Sequence, residues 1–195
     1  MSDSLGNTEK KQKIAQAVHS LLEAMEIEVD GECAQTPERV AELWADHLLV
    51  SQDKPLEDIE LTLSPAPNQT PVSLVNIGVH LVCPHHLTIA FGKAHICYEP
   101  GEHVVGFGAL TRLLEHCTQR LNLQEDACAM AARILQEKLN ARAVCVVMDA
   151  RHPCHNIIHT RGHDARAITW SHAGDREAAQ RLEEKLRQEI RDTEV

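Results

Sequence analysis

Two short motifs that combine cysteine and histidine constrain this chain more than any other feature. The first is CPHH at residues 83–86, and the second is HPC at residues 152–154. In the first motif the cysteine and the second histidine lie about one turn apart, which suits two ligands of one zinc ion. A stable site needs a third protein ligand. Cys154 is the best candidate, because it lies at the end of a predicted strand beside another histidine. The motifs therefore predict a fold that brings them together around one metal ion.

The number of protein ligands would decide what such a metal does. A Cys, His, Cys set leaves the fourth position of zinc open to water, which is typical of catalytic sites. A closed set, completed by His85, His152 or His155, is typical of structural sites. Free cysteines also pack as small buried hydrophobes, so a protein without any metal is a third interpretation. The spacing alone leaves all three open.

The pattern of apolar residues predicts an α+β protein with three regions. Thr36 is a natural N-cap, and Pro37 suits the first position of the helix that follows it. Segments rich in β-branched residues predict two pairs of strands, with CPHH in the turn of the first pair. The expected helices lie at 8–26, from 36 onward, and at 106–121, 125–139 and 175–192, and the expected strands at 72–82, 87–99, 143–149 and 165–171. The expected regions are N-terminal helices at 1–63, a central domain at 64–174 and a C-terminal helix at 175–195.

Composition and charge argue against several classes of function. A net charge of −10 disfavours binding to nucleic acid or to an anionic membrane surface. Aromatic residues make up only 3% of the chain, too few for a protein that stacks bases. No apolar run approaches the roughly 20 residues of a membrane span, and the N-terminal segment has no apolar signal-peptide core. With seven cysteines, a reducing cytoplasm is the simplest expected location.

Several motifs together resemble the GTP cyclohydrolase I family. TPERV, CPHHLTIAFGKAHICYEP, VVGFGALTRLLE, RLNLQE and HPC followed by RG occur in the family's order and approximate spacing, from about Thr36 to about Arg166. The resemblance implies a T-fold, an antiparallel sheet with helices on one face, in a homo-oligomer with active sites at subunit interfaces. It also implies a zinc-dependent reaction that opens the imidazole ring of GTP at C8, releases formate and yields 7,8-dihydroneopterin triphosphate.

The resemblance also implies a role for individual residues. By their positions in the motifs, the zinc ligands are Cys83, His86 and Cys154, and the catalytic histidines are His85 and His152. Glu125, with Gln124, matches the position that reads guanine. A carboxylate suits that task because it can accept hydrogen bonds from guanine N1–H and the 2-amino group. The arginines expected to contact the triphosphate are Arg112 and Arg161, with Arg39 reaching a neighbouring subunit's site.

The chain departs from the family pattern around the expected site. Pro84 replaces the usual glutamate of the first motif, and Gly108 and Ala109 replace a Ser-Lys pair that binds phosphate. Six residues, HNIIHT, separate Cys154 from Arg161, where the family typically has three. The longer loop adds His155 and His159, with His163 just beyond, as ligands of a second metal ion or as solvent-facing residues.

These departures leave three functional hypotheses. The first is a GTP cyclohydrolase that holds the phosphates with its arginines. The second is a divergent zinc hydrolase acting on a different or less phosphorylated purine or another heterocycle. The third is a noncatalytic oligomer that binds zinc for stability.

Overall fold

The computed structural model describes residues 2–158 and 164–193. The chain divides into two compact units, Met1–Val50 and Ser51–Val195. The first unit contains helix α1, Ser2–Ala24, and helix α2, Thr36–Leu43, which continues as a π-helical turn. The prediction that Thr36 caps α2 is wrong. The N-cap is Gln35, because its carbonyl oxygen accepts the first helical hydrogen bond, from the Arg39 N–H, and Thr36 is therefore already helical.

In the described part of the chain the second unit contains six strands and four α-helices, and most of them match the expected segments. In chain order they are β1 Leu63–Pro65, β2 Val72–Val82, β3 Ile89–Glu99, β4 His103–Val105, α3 Phe107–Thr118, α4 Gln124–Leu139, β5 Ala143–Arg151, α5 Pro153–Ile158, β6 Ala167–Gly174 and α6 Arg176–Thr193. Strands β1 and β4 and helix α5 were not expected from the sequence. Each is short, so none carries enough residues to show a periodic pattern.

The main sheet is antiparallel, with strand order β2-β3-β5-β6. Helices α3 and α4 pack on one face, and α6 packs on the other. The side chains of β5 alternate between the two faces of the sheet. Because helices cover both faces, nearly all of this strand is buried. Val146 and Met148 belong to the core under α3 and α4, whereas Cys145 and Val147 belong to the core under α6. The expected α+β fold class with an added C-terminal helix is confirmed.

Three chain segments meet at one end of this sheet. Strand β2 ends at Val82, which forms a parallel bridge with Leu121 just before α4. Strand β5 ends at Arg151, opposite the start of β3. The two cysteine–histidine motifs follow these strand ends directly, so the sheet itself brings them together. No helix within residues 2–158 and 164–193 has the length and apolar character needed to cross a membrane.

Candidate metal centre and active site

The thiols of Cys83 and Cys154 lie at the centre of this end of the sheet. Their Sγ atoms are 3.8 Å apart, and both residues are buried. A ring nitrogen of His152 joins them, so that the three possible ligand atoms lie within 4.8 Å of one another. The expectation that residues 83–86 and 152–154 converge is therefore met for both cysteines.

This arrangement fits a zinc ion. A disulfide would hold the sulfurs about 2.05 Å apart, far closer than they are. Two thiolates bound to one tetrahedral zinc, each at about 2.3 Å, would lie about 3.8 Å from each other. The observed separation of 3.8 Å matches that spacing. Two thiols and an imidazole are also the ligand types that zinc prefers.

The turn after β2 presents the two histidines of the first motif. The backbone N–H of Cys83 donates to the carbonyl oxygen of Thr88, and Leu87 adopts a positive φ of 54°, which closes the turn. Both histidine side chains are exposed, and their ring centroids are 6.3 Å apart. Nδ1 of His85 lies 3.9 Å from the Cys83 sulfur. Within residues 2–158 and 164–193, His86 is not part of the group of three ligand atoms; His152 occupies that place.

The side chain of Gln124 connects His152 to the sheet. Its Nε2 donates to the backbone oxygens of Met148, at 3.0 Å, and Ala167, at 2.9 Å, and to Oγ1 of Thr169, at 3.0 Å. Its Oε1 lies 2.9 Å from Nε2 of His152. Gln124 is only 4% exposed, so these contacts leave little of it open to a ligand.

The surroundings of His152 favour its neutral form. Burial is the main cause that lowers the pKa of His152, and the nearby His155 lowers it further. The Glu125 carboxylate acts in the opposite direction and raises this pKa, but less strongly than burial lowers it. A neutral imidazole has one nitrogen with a free lone pair, which can accept a proton or bind a metal.

A cavity of about 380 Å³ lies beside this group. Cys83, His85, Glu125 and His152 contribute to its wall, and Glu125 is exposed there, as a residue that contacts a ligand must be. Asn122 also contributes, and its Oδ1 atom is buried without a hydrogen-bond partner in the described part of the chain. The cavity thus combines a thiol, imidazoles and a carboxylate in a space that suits a small ligand.

The two described arginines that were expected to contact the triphosphate, Arg39 and Arg112, belong to different units of the chain. Arg112 is exposed on α3 and does not line the cavity, and Arg39, in the first unit, donates to Oε1 of Gln35 at 3.0 Å. Arg161, with His159 and His163, lies outside the described residues. Arg166 does line the cavity, and its guanidinium forms a bidentate ion pair with Asp149.

The two positions where the family's Ser-Lys pair is replaced have different surroundings. Gly108 is exposed at the start of α3, and a Cβ atom added there would lie 3.7 Å from a guanidinium nitrogen of Arg112. Ala109 is 4% exposed and belongs to the apolar core under α3 and α4. A lysine at position 109 would have to extend out of this core to reach a ligand.

Sequence reasoning assigned Gln124 to the substrate and missed its contact with His152. One signal in the sequence could have indicated burial. Gln124 lies at helical spacing from Ala127, Cys128 and Ala131, all of which are fully buried on α4. A polar residue in line with a buried stripe needs hydrogen-bond partners inside the protein.

Comparison with known proteins gives a consistent match. Residues 14–191 match the GTP cyclohydrolase I family. The GTP cyclohydrolase 1 of Enterococcus faecalis is 36% identical over 154 residues, which cover 75% of this chain and 79% of that protein. The Clostridioides difficile GTP cyclohydrolase 1 is 30% identical over 181 residues, 91% of this chain and 95% of that protein. The Bacillus subtilis GTP cyclohydrolase 1 is 33% identical over 161 residues, with coverages of 82% and 84%.

A solved structure, the archaeosine synthase QueF-Like in the apo form, is also similar to this chain. Its TM-score is 0.46 and its sequence identity 15%, and the match covers 55% of this chain and 97% of that one.

The α+β fold and the family match define a hydrolytic enzyme. The chain belongs to the GTP cyclohydrolase I family, since the match covers nearly all of its 195 residues. The resemblance drawn from the sequence motifs is thereby confirmed.

Proposed function

We propose that this enzyme opens the imidazole ring of GTP at C8, releases formate and forms 7,8-dihydroneopterin triphosphate. The observation that carries the proposal is the pair of buried thiols, 3.8 Å apart, beside an imidazole and a cavity of about 380 Å³. Family membership supports the choice of reaction, because the similar proteins are named GTP cyclohydrolase 1.

The proposed metal is zinc, held by Cys83, Cys154 and one imidazole. The resemblance of the first motif favours His86 as that imidazole, and its exposed turn leaves it room to approach the thiols. When bound, zinc supplies a nucleophile from water near neutral pH and polarises the group under attack. The spacing and chemical type of the two thiols support this choice of metal.

The remaining chemistry is proton transfer by two histidines. In this proposal His152 accepts a proton on the lone pair of the ring nitrogen that is not hydrogen-bonded to Gln124. The lowered pKa of His152 keeps this lone pair available. His85, exposed at the cavity wall, delivers a proton to the purine ring nitrogen as the C8–N bond breaks. Imidazoles suit both tasks because their pKa lies near neutrality.

Substrate recognition is assigned to Glu125 and to arginines. The exposed Glu125 carboxylate accepts hydrogen bonds from guanine N1–H and its 2-amino group. The triphosphate is held by Arg112, Arg161 and Arg166, with Arg39 of a neighbouring subunit, because guanidinium groups bind phosphate in bidentate fashion. We therefore propose a homo-oligomer whose sites lie between subunits.

We also propose that the enzyme works in a reducing cytoplasm. Support comes from its seven free cysteines, six of which are buried.

A less phosphorylated purine is the second candidate substrate. Two observations favour it: Ala109 lies in the apolar core, and Asp149 already pairs with the Arg166 guanidinium. The alanine stands where the family pattern has a lysine, and the carboxylate of Asp149 offsets the charge of Arg166. Both therefore reduce the positive charge that could bind a triphosphate. A comparison of kcat/KM for GTP, GMP and guanosine decides between the two substrates, and a preference for GMP or guanosine would favour the second candidate.

The test of the leading proposal is to incubate zinc-loaded protein with GTP and to follow formate together with pterin absorbance. We expect both signals, and their loss in His85→Ala and His152→Ala. Formate without a pterin would mean that the reaction stops after ring opening. The absence of both signals, in protein confirmed to hold zinc, would refute GTP as the substrate.

A further inference from the structure

The contact between Gln124 and His152 determines more than the position of a side chain. We infer that Gln124 is a positioning residue: it holds the His152 imidazole as the tautomer protonated on Nε2, which leaves Nδ1 as the nitrogen with a free lone pair. The inference rests on the proposed function only where it assigns that lone pair to the reaction.

The orientation of the Gln124 amide follows from its three anchors. Two of the groups near its Nε2 are backbone oxygens, of Met148 and Ala167, and a carbonyl oxygen can only accept a hydrogen bond. Turning the amide over would place Oε1 against both of these oxygens, with no proton between any pair. The amide nitrogen must therefore face the sheet, and Oε1 must face His152.

The tautomer of His152 then follows from hydrogen-bond chemistry. The Gln124 Oε1 atom has lone pairs and no proton, and it lies 2.9 Å from His152 Nε2. The contact is a hydrogen bond only if Nε2 carries the proton. In a neutral ring the second nitrogen, Nδ1, then has none. A ring partner of this kind fixes both the tautomer and the orientation of a functional histidine.

Three separate elements hold this arrangement in place. Gln124 begins α4, Met148 belongs to β5, and Thr169 and Ala167 belong to β6. Through this amide, the position of the His152 ring depends on how β5 pairs with β6. Both amide protons and the carbonyl oxygen are engaged within the protein, so substrate contact at this end of α4 falls to the neighbouring Glu125.

The test compares two substitutions on the same helix. Gln124→Met keeps the size of the side chain but removes the amide. The control, Gln136→Met, is the same substitution about three turns further along α4, where the lost hydrogen bond goes to the backbone oxygen of Ala141. The ring nitrogens are observed by NMR in protein labelled with ¹⁵N-histidine. The His152 signals are identified by their absence in His152→Gln.

We expect the wild-type protein and Gln136→Met to show the Nε2–H tautomer of His152. We expect Gln124→Met to show a mixture of tautomers. With GTP as substrate, kcat should fall about 10- to 100-fold in Gln124→Met, the range typical of losing the partner that orients a metal-ligating histidine. KM should change little, because Gln124 is assigned no contact with the substrate. Combining Gln124→Met with His152→Ala should lower kcat no further than His152→Ala alone, because both changes act through one ring.

An unchanged His152 tautomer in Gln124→Met would overturn the inference, and so would additive losses in the double variant. Gln124→Asn provides a second test if the methionine variant does not fold. It keeps the amide but is one methylene shorter, so it cannot reach the sheet and the ring together, and the tautomers should again mix. If the wild-type protein does not convert GTP, the proposed function fails, but the NMR measurement still decides whether Gln124 fixes the ring.

Discussion

The zinc ligands can be identified by the stability that zinc confers on single-alanine variants. A ligand that binds only the folded protein stabilises it by RT ln(1 + [L]/Kd). At a free zinc concentration 100 times Kd this is about 2.7 kcal/mol. For a chain of 195 residues, each kcal/mol raises the melting temperature by roughly 2–4 °C, so zinc should raise it by roughly 5–11 °C.

The expected effect of losing a ligand follows from the same relation. Each thiol supplies one of three proposed bonds, and the other thiol lies 3.8 Å away with no further sulfur in the described group to replace it. If Cys83→Ala or Cys154→Ala weakens zinc affinity a hundredfold, the same zinc concentration stabilises the variant by only about 0.4 kcal/mol. The zinc-dependent rise in melting temperature should then shrink to roughly 1–2 °C.

The histidine variants decide between two ligand sets. We expect His86→Ala to lose the zinc-dependent rise and His152→Ala to keep most of it, because His152 is assigned to proton transfer. Differential scanning fluorimetry at fixed protein and free zinc concentrations measures both. The opposite result would mean that the three groups gathered in the structure, Cys83, His152 and Cys154, are themselves the ligands. A full rise in both thiol variants would refute the metal centre.

Three further predictions concern the core, pH and specificity. Leu186 on α6 is fully buried, so Leu186→Ala should lower the free energy of unfolding by about 2–5 kcal/mol in urea titrations, and a loss under about 1 kcal/mol would show that α6 is not an integral part of the core. Burial, with a smaller contribution from Arg120, lowers the pKa of His116, so the unfolded state binds more protons than the folded state and stability should fall as pH drops below about 6.5. His116→Gln should reduce that fall, and identical pH profiles of the two proteins would contradict the assignment. Glu125→Gln should lower kcat/KM for GTP by about 10- to 100-fold, the equivalent of about 1.5–3 kcal/mol for charged hydrogen bonds. It should also reduce the preference for GTP over inosine triphosphate, which lacks the 2-amino group; an unchanged preference would exclude Glu125 as the guanine reader.

Most of the fold could be predicted because long elements have a clear period. Strand β2 spans Val72–Val82, the same residues that its β-branched composition indicates, and α4 begins within one residue of its expected start. The pairing of β1 with β4 could not be predicted, because each strand has three residues. Helix α5 could not be predicted either, because its six residues, which include Pro153 and Cys154 of the HPC motif, are too few to show a helical period.

The sequence by itself determined which residue types the candidate site contains. Cys83 and Cys154 could be paired from their motifs alone, because zinc restricts its ligands to a few residue types and spacings. The motifs also indicated the family, which the comparison then confirmed.

Only the tertiary structure decided how these residues are oriented. His152 lies beside the thiols because β5 ends there, and Gln124 faces it because β5 and β6 pair in one particular register. The contact between Arg166 and Asp149 also depends on that pair of strands. Hydrogen bonds of this kind depend on distances of about 3 Å between groups far apart in the chain. A local sequence pattern carries no information on such distances until the strands have paired.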